Sequence, residues 1–262
     1  MTAAFVGIDV AFRKKKRLPI SVCTWQGGRL VPLMLKRAGP PFPPVGEGNR
    51  ALLKPGTADA FALAVLGYLR DVESAMGVRI HRVAIDAPSA PRREGIRRRM
   101  AELAMDRLRI SCIGTPSRSD FEEILHRGRE HLRHGGAESR LPHANQLWML
   151  AGFALFSHLG AEFECIEVFP QATAVALGVA AVHKRRSEGY SAQLAAVARE
   201  TRWPEHPRPS SLDMIGFGSR DDKLDAYLSA WVASLPEEER IACGEPPDDV
   251  IWLPKTHRSI QH

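Results

Sequence analysis

Residues 5–11 read FVGIDVA, a continuous apolar run that carries a single acid, Asp9. Apolarity on consecutive residues, rather than on alternate ones, is what a strand covered on both faces requires. The segment therefore predicts a central strand with helices on either side. A basic turn, RKKKR at 13–17, follows it. Next come LPISVCTW at 18–25 and LVPLMLK at 30–36, joined through Gly27-Gly28. Both glycines tolerate the positive φ of a tight hairpin, so the chain is expected to open with three consecutive antiparallel strands.

Beyond this the pattern changes. Residues 37–56 are rich in Pro and Gly and predict a loop. From Thr57 to Met76, Phe61, Val65, Leu66, Leu69 and Val72 recur at helical spacing. RIHRVAID at 79–86 predicts a second buried strand, ended by Ala87-Pro88, and FECIEVFP at 163–170 another, halted by Pro170. Helical patterns fill 94–108 and most of 119–160, broken at Gly135-Gly136 and Pro142. Further helices are expected at 171–182, 191–200 and about 221–235, and a short last strand at 248–254. Antiparallel strands first, then strands alternating with helices, describe an α/β fold with a mixed sheet flanked by helices. The order fits an RNase H-like layout: one domain over 1–262, with a helical insertion around 94–160.

Hydrophobic residues at 44% and charged residues at 25% exclude wholesale disorder. A net charge of +6 favours a polyanionic partner, DNA or RNA, because basic surface attracts phosphate and releases its counterions. Cys23, Cys112, Cys165 and Cys243 are far apart and form no C-x-x-C pair, which predicts a reduced, cytoplasmic chain. MTAAFVGIDVA lacks the pattern of a signal peptide, and the longest apolar run, LWMLAGFALF at 147–156, is too short to span a bilayer. No membrane association is expected.

The chemistry-bearing feature is a set of acids placed where apolar residues belong. Asp9 interrupts the first strand, Asp86 ends the strand VAIDAP, and Glu167 lies within ECIEVFP. Asp222 and Asp225 share one face of the helix RDDKLDAYLSA, being three apart. A carboxylate in a sheet interior must be paired, hydrogen-bonded or bound to metal. Several of them converging raise one another's pKa unless a cation sits between them, and Mg²⁺ or Mn²⁺ suits an all-oxygen site. Each acid also has a structural reading. Asp9 can pair with a lysine or arginine, Asp86 can cap the segment after it, and Glu167 can bond to neighbouring backbone. Ser219 and Asp222 can form a capping box.

FVGIDVA, VAIDAPSAP, ECIEVFP, DDKLDAYLSAWVA and the terminal DDVIWLP together resemble the domain-of-unknown-function family number 429, over about residues 4–254. That resemblance implies a nuclease with an RNase H-like fold. It implies Asp9 as the first-strand acid, Asp86 and Glu167 as strand-end acids, and Asp222 and Asp225 as the helix pair. GIRRRMAELAM at 95–105 is similar to the family's arginine-bearing helix, with Arg97 or Arg98 as the match. The RKKKR cluster departs from the family's less charged turn.

The expectation is a divalent-metal-dependent nuclease. Asp9, Asp86, Glu167, Asp222 and Asp225 would act as catalytic metal ligands for an in-line phosphodiester displacement. Lys14, Lys15, Arg93, Arg97 and Arg98, on basic stretches flanking Asp9 and Asp86, would grip the phosphate backbone, the alternative being solvated charge. Two other classes stay open: a non-catalytic nucleic-acid-binding module on the same fold, and a phosphotransfer enzyme on an actin-like fold. The sequence has no G-x-x-x-x-G-K-[ST], G-x-G-x-x-G or G-x-S-x-G motif. His126, His131 and His134 lack the partners of a zinc site and are expected at the surface, and the tryptophans are expected in the core.

Overall fold

The computed structural model describes residues 1–247 and 249–255. In chain order its elements are β1 (Thr2–Asp9), β2 (Ile20–Gln26), β3 (Arg29–Pro32), α1 (Asn49–Leu52), α2 (Thr57–Met76) and β4 (Val78–Asp86). There follow α3 (Met100–Arg107), α4 (Arg118–Arg133), α5 (Ala144–Leu147), α6 (Met149–Leu159), β5 (Glu164–Glu167), α7 (Pro170–Ala176), α8 (Ser187–Thr201) and α9 (Arg220–Ser234). The chain closes with β6 (Arg240–Glu245) and β7 (Asp249–Pro254).

Five strands form one mixed sheet in the order β3-β2-β1-β4-β5. β1 runs antiparallel to β2 and parallel to β4, β2 runs antiparallel to β3, and β4 runs parallel to β5. The continuous apolarity of β1 now has its reason, since alternate residues feed two cores. Val6 and Ile8 pack with α2 and α6 on one face, through residues such as Val65, Leu69 and Leu155. The other face carries Phe5 and Gly7 and lies under α9. On β4, Val83 and Ile85 belong to the first core, and Ala84 packs with Val232 and Ala233 of α9. This is an α/β fold with helices on both faces of a five-stranded mixed sheet.

α9 reaches the sheet unusually closely at Gly7. A Cβ placed there would lie 2.0 Å from the Ala226 carbonyl oxygen and 2.3 Å from the Ala230 nitrogen. On its other side, the Tyr227 hydroxyl lies within hydrogen-bond distance of Leu30 O, at 3.2 Å, and of Thr201 Oγ1, at 3.0 Å. The helix is thereby clamped between β1, β3 and α8, and is buried around most of its circumference.

Several sequence expectations are revised. The stretch 94–99 is not helical. Arg92 N donates to Pro116 O (3.0 Å), holding the segment against the start of α4, and the helix begins only at Met100. β3 and α7 are shorter than expected, ending at Pro32 and Ala176. The terminal strand pairs with β6, a strand the sequence did not suggest, in a separate two-stranded sheet. Asp248, the first residue of that expected strand, lies outside the described residues. The four cysteines are free. Among the described residues no helix is long and apolar enough to cross a membrane.

Gly7→Ala is expected to destabilise the protein by on the order of 2–3 kcal/mol, because the added methyl meets helix backbone that cannot yield without moving α9. Urea unfolding measures this, and a variant as stable as the parent would show that α9 does not seat on Gly7.

Candidate metal and phosphodiester site

The two-residue period of the sheet decides which acids can meet. Asp9 and Asp86 are register partners at the adjacent ends of the parallel strands β1 and β4. Each is two residues beyond a position that faces α9, Gly7 in β1 and Ala84 in β4. Both therefore project from the same face of the sheet. The first turns of α9 bring Asp222 and Asp225 over that face. All four line one cavity of about 880 Å³, together with Asp221, Lys184 and Trp148.

The cavity is a place of unresolved negative charge. Burial, reinforced by Asp225, Asp86 and Asp222, holds the Asp9 carboxyl well above the usual carboxylate range. Burial and Asp225 push Asp86 up to about 8, against the pull of Lys184. Burial also pushes Asp225 up to about 6, although Lys184 pairs with it directly. Lys184 is raised in turn: burial pulls its pKa down, but Asp225, Asp86 and Asp9 outweigh it. Asp225 Oδ1 is buried with no hydrogen-bond partner, so the lysine satisfies only half of that carboxylate. Among the described residues no three His, Cys, Asp or Glu side chains are gathered closely enough to hold a metal ion as they stand.

Asp222 has a double attachment. Its Oδ2 accepts from Ser219 N (2.9 Å) and its N donates to Ser219 Oγ (3.3 Å), the reciprocal cap that the sequence allowed. Its other oxygen faces Arg13 at 3.6 Å. Capping and cavity lining are thus combined in one residue.

Glu167 is placed differently from the other acids. It occupies the register position of Ile85, whose side chain belongs to the core opposite α9. There it takes a bidentate pair from Arg99, Nη1 to Oε1 at 2.9 Å and Nη2 to Oε2 at 2.7 Å, and accepts from Ser89 N at 2.9 Å. Arg99 Nε also donates to Asp249 Oδ1 at 3.0 Å. This buried hub joins β5, the start of α3 and β7. One residue out of phase and with a counter-ion of its own, Glu167 does not line the cavity that the four aspartates share, though its charge reaches Asp86 and helps raise that carboxyl. Arg99 itself is one position beyond the arginines singled out in the sequence.

The basic residues separate as well. Lys14 lines the acid cavity and pairs with Glu138 at 3.5 Å, and Lys15 lines an adjoining cleft. Arg93 pairs with Glu245 at 3.5 Å, Arg98 with Asp106 at 3.1 Å and with Glu102 at 3.5 Å, and Arg97 borders a groove beside α4. None of these three lines the acid cavity. His126 and His134 are exposed and His131 is partly so. Lys184 and Trp148 were missed. The signal for Lys184 was the basic run HKRR at 183–186, ahead of α8; Trp148 had only an apolar context.

Replacing the Arg99 guanidinium by an apolar chain of similar length, Arg99→Met, strands two buried carboxylates and should cost about 3–5 kcal/mol in thermal or urea unfolding. A neutral outcome would mean that the hub is solvated. A second expectation concerns pH. In the unfolded chain Asp86 ionises near an ordinary carboxylate value, whereas the folded protein keeps its proton up to about 8. Between those values the folded state binds more protons, so this residue's contribution to stability falls as pH rises. With metal chelated, Tm should drop from about pH 5 to about pH 8, and Asp86→Asn should flatten that slope. An identical slope in parent and variant would contradict the assignment.

The comparisons with known proteins bear on the family alone. A family model described as "Protein of unknown function (DUF429)" matches residues 47–249, which includes Asp86, Glu167, Lys184, Asp222 and Asp225 but begins after Asp9. No curated protein and no solved structure matches the chain. The match extends over more than half of the sequence, and the chain belongs to this family of proteins of unknown function.

Proposed function

We propose that the protein is a divalent-metal-dependent nuclease with RNase H-like architecture. The observation that carries this reading is the meeting of Asp9, Asp86 and Asp225 from β1, β4 and α9 in one cavity, with more negative charge than Lys184 can compensate. The strand order β3-β2-β1-β4-β5, with β2 antiparallel to its neighbours, supports the architecture, as does an acid at the end of each central strand. Fold alone is a weak guide to function, so the weight rests on the acids.

The donor set fits Mg²⁺ or Mn²⁺: every candidate ligand is a carboxylate oxygen, and Asp225 Oδ1 is buried without a partner. Asp9, Asp86 and Asp225 would hold the ion, with the oxygen of Asp222 that faces Arg13 as a fourth donor. Glu167 is left out, since Arg99 already engages both its oxygens. When bound, the ion would supply Lewis-acid polarisation of the phosphate and a more acidic water. The protein's own contribution is positional. Asp86, once ionised beside the cation, would accept the proton of the attacking water. Lys184 and Arg185 line the cavity as cations for the phosphate oxygens. Water's oxygen bonds to phosphorus, the ester oxygen departs, and it is reprotonated from solvent.

A second reading, a nucleic-acid-binding module without turnover, is favoured by one observation: Lys184 already occupies Asp225, doing part of the work of a cation. The two readings separate in one assay. Labelled single-stranded and duplex oligonucleotides incubated with Mn²⁺ or Mg²⁺ should be cleaved by the parent. Asp9→Asn should lower the rate by roughly 100-fold or more, since it removes a ligand of the charged centre. Salt-sensitive binding without cleavage, equal in parent and Asp9→Asn, would establish the binding module instead.

A further inference from the structure

A second cleft, of about 440 Å³, opens beside the acid cavity and shares Ala11, Arg13, Ser219 and Asp222 with it. The rest of its lining is strongly basic, with Lys15, Lys16, Arg17 and Lys36 beside Pro19, Phe217 and Gly218. We propose that this cleft seats single-stranded nucleic acid, its backbone phosphates held by Lys15, Lys16, Arg17 and Lys36 and a base stacked on Phe42, which lies outside the cleft lining, against Arg17 and Phe217. The inference deepens the nuclease reading by naming its substrate class, and it rests on that reading only for the direction in which the strand continues.

Most of the positive charge around this cleft has no ion-pair partner among the described residues. Arg13 and Lys14 each face a carboxylate, Asp222 and Glu138. Among the described residues, Lys15, Lys16, Arg17 and Lys36 are in ion pairs with none. Four cations round one concavity repel one another unless an anion comes between them, and a phosphate backbone offers anions at regular intervals.

The basic turn is also built rather than loose. Lys15 N donates to Gly46 O (2.9 Å), Gly46 N to Lys16 O (2.7 Å), and Leu18 N to Pro44 O (2.9 Å). The Arg17 guanidinium donates to Pro43 O at 3.0 Å. The approach is so close that a Cβ on Gly46 would meet Arg13 O at 2.6 Å. A solvated charge run needs no such scaffold. Here the backbone of the turn is fixed before any ligand arrives, which spares part of the ordering entropy on binding.

The aromatic part points to single strands. The Arg17 guanidinium carbon lies 4.6 Å from the Phe42 ring centre and 5.4 Å from that of Phe217, and the two rings meet edge to face at 5.9 Å. Phe42 is 45% exposed, so Arg17 backs the ring while much of it remains open to solvent. An exposed ring set among cations is the platform on which an unstacked base can lie, and a duplex keeps its base faces hidden. Because Arg13 and Asp222 border both concavities, a strand held here leads directly to the acids.

Fluorescence anisotropy on the 262-residue chain in EDTA tests this without turnover. The probes are a fluorescein-labelled oligodeoxythymidine of about 12 nucleotides, the same strand made duplex, and an abasic strand of equal length. The parent should bind the single strand at least about tenfold more tightly than the duplex. Lys15→Glu and Lys36→Glu should each weaken binding by about tenfold and reduce its salt dependence, with Lys54→Glu, which lines neither concavity, as the control. Lys15→Gln and Lys36→Gln, milder changes at exposed positions, should give smaller losses in the same order. Phe42→Ala should weaken the thymidine strand roughly fivefold or more and leave the abasic strand unaffected. Equal affinity in parent and charge-reversal variants, duplex binding as tight as single-strand binding, or displacement of the probe by a polyglutamate peptide of matched charge would each overturn the proposal. Binding through the cleft with no cleavage in Mn²⁺ sinks the nuclease reading and leaves the cleft standing. Cleavage with an unchanged KM in Lys15→Glu and Lys36→Glu does the reverse.

Discussion

The seating of α9 on Gly7 is the contact from which the rest of the molecule takes its arrangement. One missing side chain lets the helix backbone approach β1 closely enough to bring its first turns over the strand's carboxyl end. Tyr227 fixes the opposite side of the same helix to β3 and α8. The position of Asp222 and Asp225 relative to Asp9 and Asp86 is therefore a packing result, set by apolar burial and one glycine. The acids do not attract one another. They are held together by everything around them.

Two buried charge systems within the same fold show what that means. At the Arg99 hub, the carboxylates of Glu167 and Asp249 are met by a guanidinium whose fork suits them, and the cluster joins three elements. In the α9 cavity, Asp9, Asp86 and Asp225 share Lys184, and Asp225 Oδ1 has no partner; burial raises the pKa of these acids, as it does that of Glu167. Structural ion pairs tend towards satisfaction, and functional ones are left wanting a partner. That contrast within one chain, more than the acidity of either cluster, supports the functional reading.

Much of this was legible in the residues. The apolar run around Asp9 gave a central strand, the spacing of Phe61, Val65 and Leu69 gave α2 at its observed limits, and Gly27-Gly28 marked the hairpin. Four of the five acids singled out by their apolar surroundings line one cavity. What failed was relational. Glu167 looks like Asp86 in its local sequence, but the phase of β5 against β4 follows from backbone pairing that no single segment encodes, and it puts Glu167 at the position of Ile85. Arg99, rather than its neighbours Arg97 and Arg98, became the buried cation because the helix starts one residue after it and not several before. Lys184 was illegible for a similar reason, since it comes from a connection between helices whose path is fixed only by the completed core. β6 was hidden by the charged ends and glycine of RIACGE, which leave few apolar residues in a row, and by the acids before it.

Adjacent strands of a sheet are held about 4.8 Å apart by their hydrogen bonds, and Asp9 and Asp86 are anchored on two such strands as direct partners. Carboxylates on a loop would swing apart when both lose their protons. These have no such escape, because separating them means breaking the ladder beneath them. The sheet therefore acts as a gauge of fixed width, and the repulsion across it is met by retained protons and, in part, by the charge of Lys184.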